Sequence, residues 1–399
     1  MKLAQRVASI KPSATLSINA KANALKKQGV HIVNFGVGEP DFDTPRHIQD
    51  AAIKALHNGH TRYTAVSGID ELKDAVLQMM KTDYGLSYER KNVLVSCGAK
   101  HSLYNLFQAV LDPGDEVIIP APYWVSYPEM VELAGGRPVL VPCLKDAGFR
   151  LQAEPLEQAI TPRTRLLILN SPSNPTGVYL GRTDLAALAE VLLRHPQVTV
   201  VSDDIYNRIL FAGQEWVNLA MVSPPLRDRI IIINGVSKTY CMTGWRIGFL
   251  IGDAQLVKAA TDIQSQSTSN PTAMAQYASI AALTGDQEVV RTMVKIFDDR
   301  CRYVMDRLAQ IPGVTCPHPD GAFYVFPDCS SYYGRKGPGG VIQSSLELTD
   351  YLMEEAHLAV VPGSAFGEDR CVRLSYALAQ TDLEQGFDRL AKALQALAG

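Results

Sequence analysis

Residues 229–252 read RIIIINGVSKTYCMTGWRIGFLIG, a β-branched run, a polar loop and a second apolar run. Four consecutive isoleucines, Ile230 to Ile233, suit a strand buried on both faces or a core helix, and the Asn234-Gly235 break favours the short strand. Lys238 therefore sits just past a strand end, with Ser237, Thr239, Tyr240, Thr243 and Arg246 around it, and Gly244 and Gly248 allowing close backbone approach. A lysine desolvated there loses its proton at moderate cost and can attack a carbonyl to form a Schiff base. The competing reading is a solvated loop lysine.

The 399 residues exceed what one compact core usually holds, so two domains are expected. With 47% hydrophobic and 20% charged residues and a net charge of -3, the composition is that of a soluble enzyme acting on small molecules, and excludes a nucleic-acid binder or a disordered chain. The seven cysteines are scattered without a C-x-x-C pair, which reads as reduced thiols in a cytoplasm. The N-terminal stretch has no continuous apolar segment and no run elsewhere is long enough to span a bilayer, so no membrane partner is expected.

In chain order, a helix is expected over 14–28 with Ser13 as its N-cap, then a strand from Val30 to Phe35 leading into Gly36, Gly38 and the turn EPDFDTP. Helices follow over 45–58 and 70–84, separated by a loop carrying Tyr63. From residue 92 short apolar strands alternate with helices, the pattern of a largely parallel sheet covered on both faces: 93–95, 117–119, 166–169, 198–201, 230–233 and 249–251. A long helix over 286–310 leaves this pattern, followed by β-type residues 321–326, a Gly/Pro-rich loop GRKGPGG, a helix over 348–356, a strand around 372–374 and a last helix over 381–398. The expected organisation is an N-terminal segment, 1–44, packing on a small α+β domain, 288–399, with a large domain over 45–287.

In open parallel sheets ligands bind beyond the carboxyl ends of the strands. Gly98-Ala99-Lys100 lies where a strand passes into a helix, so free N–H groups and the positive helix end make an anion site on which Ser237 and Arg246 can converge. A phosphate beside a Schiff-base lysine suggests pyridoxal phosphate. Asp203, at a strand end, suits a protonated pyridine nitrogen, although it or Asp204 can equally cap a following helix. Tyr206 and Asn174 can bond the ring's phenolic oxygen, and Trp124 offers a flat face or a core side chain. Arg373, inside the apolar strand CVRLSYAL, suits a bidentate carboxylate or, on an edge strand, reaches water.

The ordered set SKTYCMTGWRIG, NPTG, SDDIY and VRLSY closely resembles the class I, fold-type I pyridoxal-phosphate aminotransferases, over nearly the whole chain. The opening KPSAT and the GAKH after the first core strand make it most similar to the bacterial branch of aspartate and aspartate/prephenate aminotransferases. The resemblance implies an α/β fold of that type and a homodimer bound to pyridoxal 5'-phosphate. Lys238 would carry the cofactor and move the proton. Asp203 would hold the pyridine nitrogen, Tyr206 and Asn174 the phenolic oxygen, and Trp124 would stack on the ring. Gly98, Ala99, Lys100, Ser237 and Arg246 would lie around the phosphate, with Tyr63 reaching it from the other subunit. Gly38, Trp124, Asn174 and Arg373 would take the α-carboxylate end of the substrate, and Lys100 with Ser13 and Thr15 a side-chain carboxylate. The implied reaction is ping-pong transamination of L-aspartate with 2-oxoglutarate. Prephenate is an alternative candidate acceptor, undecided by the sequence, and Lys11 either meets its extra carboxylate or, the favoured reading, is a surface lysine. The alternatives are an aminotransferase for neutral or aromatic amino acids, a C–S β-lyase on the same fold, and a non-catalytic ligand-binding module. Two departures from the family pattern, Gly235 for serine and Asp204 for glutamate, bear on phosphate affinity.

Overall fold

The computed structural model describes residues 1–4, 6–7, 10, 14–211 and 213–397. Its centre is a seven-stranded sheet of β1 (Val93–Ser96), β2 (Glu116–Ala121), β3 (Arg137–Pro142), β4 (Thr164–Asn170), β5 (Thr199–Asp203), β6 (Ile230–Gly235) and β7 (Gly248–Ile251), in the order β1-β7-β6-β5-β4-β2-β3. The four isoleucines of β6 are all buried, between β5 on one side and β7 on the other. Each contributes about 1.5–3 kcal/mol through its removal from water. The pairings among β2 to β6 are parallel, whereas β7 runs antiparallel to both β1 and β6. That reversal has a functional consequence: Arg246, just before β7, arrives at the end of the sheet where β1, β5 and β6 terminate.

The edge strand β3, RPVLVP, was not among the expected strands; it carries two prolines, which at an edge cost no ladder bond. Close approach does explain Gly248, where a Cβ would stand 2.1 Å from the Ala99 nitrogen. It does not explain Gly244, where a Cβ would meet nothing within 4 Å.

Beyond the helix Glu288–Ala309, an antiparallel sheet of β8 (Tyr324–Val325), β9 (Val361–Pro362) and β10 (Val372–Ser375) has β10 in the middle. Phe297, Phe323, Leu348, Leu352 and Leu374 belong to its apolar core. The expected loop GRKGPGG contains a small hairpin, Lys336–Gly337 against Gly340–Val341. The N-terminal helix, Ala14–Lys27, buries Ile18 and Ala22 in a cluster with Met353 and Ala359, and Lys21 meets Asp350 at 2.9 Å. The strand expected over 30–35 is only Val33–Asn34, paired with Leu358–Ala359.

Candidate active site

A cavity of about 450 Å³ opens at the carboxyl end of the large sheet. Thr15, Gly38, Ala99, Lys100, Trp124, Asn174, Asp203, Tyr206, Ser237, Lys238, Arg246 and Arg373 all line it. They come from the N-terminal helix, the helix Ala99–Val110, the end of β5, β10 and the connections beyond the strands, so the fold gathers residues 358 positions apart in sequence (Thr15 to Arg373).

Lys238 follows β6, and its Nζ donates to the Gly38 carbonyl at 2.7 Å. Burial, reinforced by Arg373 and Arg246 and opposed by Glu39 and Asp203, brings its pKa down to about 8. A fraction of neutral amine is thus present near neutral pH, as nucleophilic attack requires.

Asp203 is the last residue of β5 and is 4% exposed. Burial pushes its pKa up to about 6, against the Tyr127 hydroxyl, the Ile205 N–H and Lys238, which favour the carboxylate. Tyr127 donates at 2.6 Å and Ile205 at 3.4 Å. The helix that Asp203 or Asp204 was expected to cap is absent, since a turn follows instead. Asp204 points into a separate polar pocket and accepts from Ser202 Oγ (2.7 Å), Asn218 Nδ2 (2.8 Å) and Tyr84 Oη (3.0 Å).

Arg373 is 2% exposed on the central strand β10, which rules out an edge-strand side chain reaching water. Its guanidinium stacks 4.8 Å from the Tyr324 ring and 5.2 Å from Phe366. Nη1 donates to Asn174 Oδ1 at 3.0 Å and Nη2 to the Gly36 carbonyl at 2.8 Å, while the buried Nε has no partner among the described residues. An unpartnered donor on a buried cation is costly unless an anion completes it.

Gly98 has φ 92°, and a Cβ there would stand 2.5 Å from Arg246 Nη2, so the guanidinium lies against the start of the helix Ala99–Val110. Arg246 itself adopts φ 58° and bonds the Thr243 and Cys97 carbonyls. Lys100 places its ammonium 4.8 Å from the Trp124 ring centroid, and burial, then Arg246, lowers its pKa. Trp124 also meets Tyr127 edge-on at 5.2 Å.

One candidate stands apart. Tyr63 is 91% exposed, beside a surface hollow lined by Thr61, Arg62, Thr268 and Asn270. Ser13 and Lys11 lie outside the described residues. Sequence reasoning missed Tyr127, which holds Asp203, and Tyr324, whose hydroxyl pairs with that of Tyr206 at 2.8 Å. It also missed Asn19, Glu39 and Asn170, which line the same cavity. For Tyr127 a signal existed: it lies one helical turn after Trp124, beyond the end of β2.

The family model for aminotransferases of class I and II matches residues 30–390. An aspartate aminotransferase of Geobacillus stearothermophilus is 51% identical over 398 residues, covering 100% of both chains. An aspartate/prephenate aminotransferase of Cereibacter sphaeroides is 49% identical over 389 residues, covering 97% of each. Among solved structures, the aspartate aminotransferase of Rhizobium meliloti superposes with a TM-score of 0.96 at 46% identity, covering 100% of both chains. That of Thermus thermophilus with maleate gives 0.90 at 41% identity, covering 98% of this chain and 100% of that one.

The residues of the cavity fit a phosphorylated pyridine aldehyde. Asp203 is a buried carboxylate without a salt-bridge partner among the described residues, Lys238 is a partly neutral amine, and Arg246 stands at a helix start. The chain belongs to the aminotransferase class I and II family, whose cofactor is pyridoxal 5'-phosphate.

Proposed function

We propose that this chain transfers the amino group of L-aspartate to 2-oxoglutarate in a ping-pong cycle, giving oxaloacetate and L-glutamate, and that prephenate serves as a further acceptor, giving arogenate. The observation that carries this reading is a charge count. Lys100, Lys238, Arg246 and Arg373 line one cavity and none has a carboxylate salt-bridge partner among the described residues. One phosphate and two substrate carboxylates would give each of the three that are not Lys238 an anion to bind. A C–S β-lyase leaves Lys100 without an anion.

Pyridoxal phosphate, when bound, supplies an aldehyde carbon that links to an amine and a ring that accepts the electron pair released at the substrate Cα. The chain's own groups do the rest. Gly98, Ala99, Ser237 and Arg246 bind the phosphate; Asp203, kept anionic by Tyr127, retains a proton on the ring nitrogen. Tyr206 and Asn174 bond the phenolic oxygen, the latter through Nδ2 because its Oδ1 serves Arg373. Trp124 stacks on the ring. Arg373 grips the α-carboxylate with Gly38 beside it, and Lys100 with Thr15 and Ser13 takes the second carboxylate. Lys238 would take the proton from the substrate Cα and return it on the cofactor side. The relatives named aspartate and aspartate/prephenate aminotransferases support this substrate class.

The functional unit is proposed to be a homodimer in a reducing cytoplasm, consistent with seven free thiols and with a Tyr63 that no contact in its own chain covers well. Among the described residues, no helix is long and apolar enough to cross a membrane. The domain division at 44/45 and 287/288 is proposed on the two separate sheets, although Ile205, Tyr206, Ile209 and Phe211 pack in the apolar cluster of the smaller one. The test is steady-state kinetics with L-aspartate and 2-oxoglutarate. Parallel double-reciprocal lines, lost in Lys238→Ala, are expected; intersecting lines or no oxaloacetate would reject the reading.

A further inference from the structure

Two of the residues lining the cavity, Thr15 and Asn19, lie one turn apart on the N-terminal helix and so share a face. The orientation of the Asn19 amide is fixed by a chain of hydrogen bonds that starts from a donor that cannot be reversed. The Gly36 N–H donates to Asn34 Oδ1 at 2.9 Å, so the other end of that amide, Nδ2, faces Asn19. Asn19 must answer with its acceptor, and its Oδ1 stands 3.0 Å from Asn34 Nδ2. Among the described residues, no hydrogen bond then takes either hydrogen of Asn19 Nδ2, and both are left for another acceptor. The same chain continues to Arg373, because the Gly36 carbonyl accepts from its Nη2 at 2.8 Å.

We infer that Asn19 is a specificity residue: its Nδ2 donates to the substrate carboxylate remote from the one held by Arg373, beside Lys100 and Thr15. This rests on the dicarboxylate reading above and adds to it a neutral donor whose direction is set through Asn34 and Gly36 by the arginine frame itself. A substrate without a distal carboxylate leaves Nδ2 to water, so the residue acts on the choice between substrates.

Two substitutions separate this role from a structural one. Asn19→Asp keeps an acceptor for Asn34 while replacing the donor at the cavity with a second carboxylate oxygen, which repels the distal carboxylate. Asn34→Asp leaves Asn19 in place but presents it with an acceptor, so the Asn19 amide turns over and shows its oxygen to the cavity. The measurement is the ratio of kcat/KM for L-aspartate to that for L-alanine, together with the Kd of maleate for the holoenzyme. Both variants are expected to lower the ratio tenfold or more and to weaken maleate to the same degree. A wild-type ratio and maleate Kd in Asn19→Asp would overturn the assignment to Asn19 alone. A wild-type enzyme that does not favour aspartate over alanine would overturn the dicarboxylate reading, and this inference with it.

Discussion

The Tyr127 hydroxyl donates to Asp203 Oδ2 at 2.6 Å, and both side chains are buried at the end of the central sheet. The bond opposes the burial that raises the Asp203 pKa, so it holds the carboxylate in the form that pairs with a cationic ring. Tyr127→Phe is expected to lower kcat by about tenfold to a hundredfold, the range for a lost hydrogen bond to a charged group. It should also weaken cofactor binding, measured by equilibrium dialysis. Unchanged values for both would show that the Tyr127 bond has no part in function.

Asp203 also predicts a conflict between function and stability. Its folded pKa of about 6 lies above the ordinary 3.8, so the folded state holds the proton more tightly. The associated stability is present below about pH 3.8 and is lost as pH rises through about 6. In cofactor-free protein, Asp203→Asn should therefore gain about 3 kcal/mol at pH 8 and nothing at pH 3.5. Denaturant titrations at the two pH values measure this, while transamination in the same variant should nearly vanish.

Cofactor capture should report the Lys238 pKa. Only the neutral amine attacks an aldehyde, so the rate at which apoprotein takes up pyridoxal phosphate should rise about tenfold per pH unit below 8 and level off above it. A stopped-flow pH series with a midpoint near 10.5 would contradict a desolvated lysine.

Arg373 and Lys100 differ in what they should lose. Arg373→Lys keeps the charge but abandons the fork between Asn174 and Gly36, and should cost about a hundredfold in kcat/KM for every amino acid. Lys100→Ala should cost a similar factor for aspartate and little for alanine. Steady-state kinetics with both substrates separates the two patterns.

Tyr63 provides a test of the dimer. If it serves the partner's site, mixing equal amounts of Lys238→Ala and Tyr63→Ala chains under exchange should restore about a quarter of wild-type activity, because half the dimers are mixed and each has one intact site. Activity no greater than that of Tyr63→Ala alone, scaled for dilution, would place Tyr63 outside the partner's site.

What was legible in the sequence followed from patterns that physics makes local. Four buried isoleucines ending at Asn234-Gly235 locate Lys238, and the strand ending at Asp203 locates the second group, because each marks a carboxyl end of a parallel strand. Arg373 was legible as a charge that an apolar strand must hold against an anion. Its position on a central strand was not, since sheet order is a long-range property. The edge strand Arg137–Pro142 was not among the expected strands, and its two prolines interrupt the apolar run that marks the others. The supporting partners Tyr127, Tyr324 and Asn19 escaped for one reason: each acts through a hydrogen bond to a residue distant in sequence, such as the 76 positions between Tyr127 and Asp203. Asp204, readable as a helix cap, turned out to be buried in a network with Ser202, Asn218 and Tyr84 that no local pattern announces.

The most direct measurement is a half-reaction. Purified holoenzyme is mixed with L-aspartate and no acceptor, and its visible spectrum is followed before and after addition of 2-oxoglutarate or prephenate. The absorbance of the lysine-bound cofactor should convert to that of the amine form, with one oxaloacetate released per site, and either acceptor should restore it. Conversion should be abolished in Lys238→Ala. A spectrum that L-aspartate leaves unchanged while a neutral amino acid converts it would contradict the account.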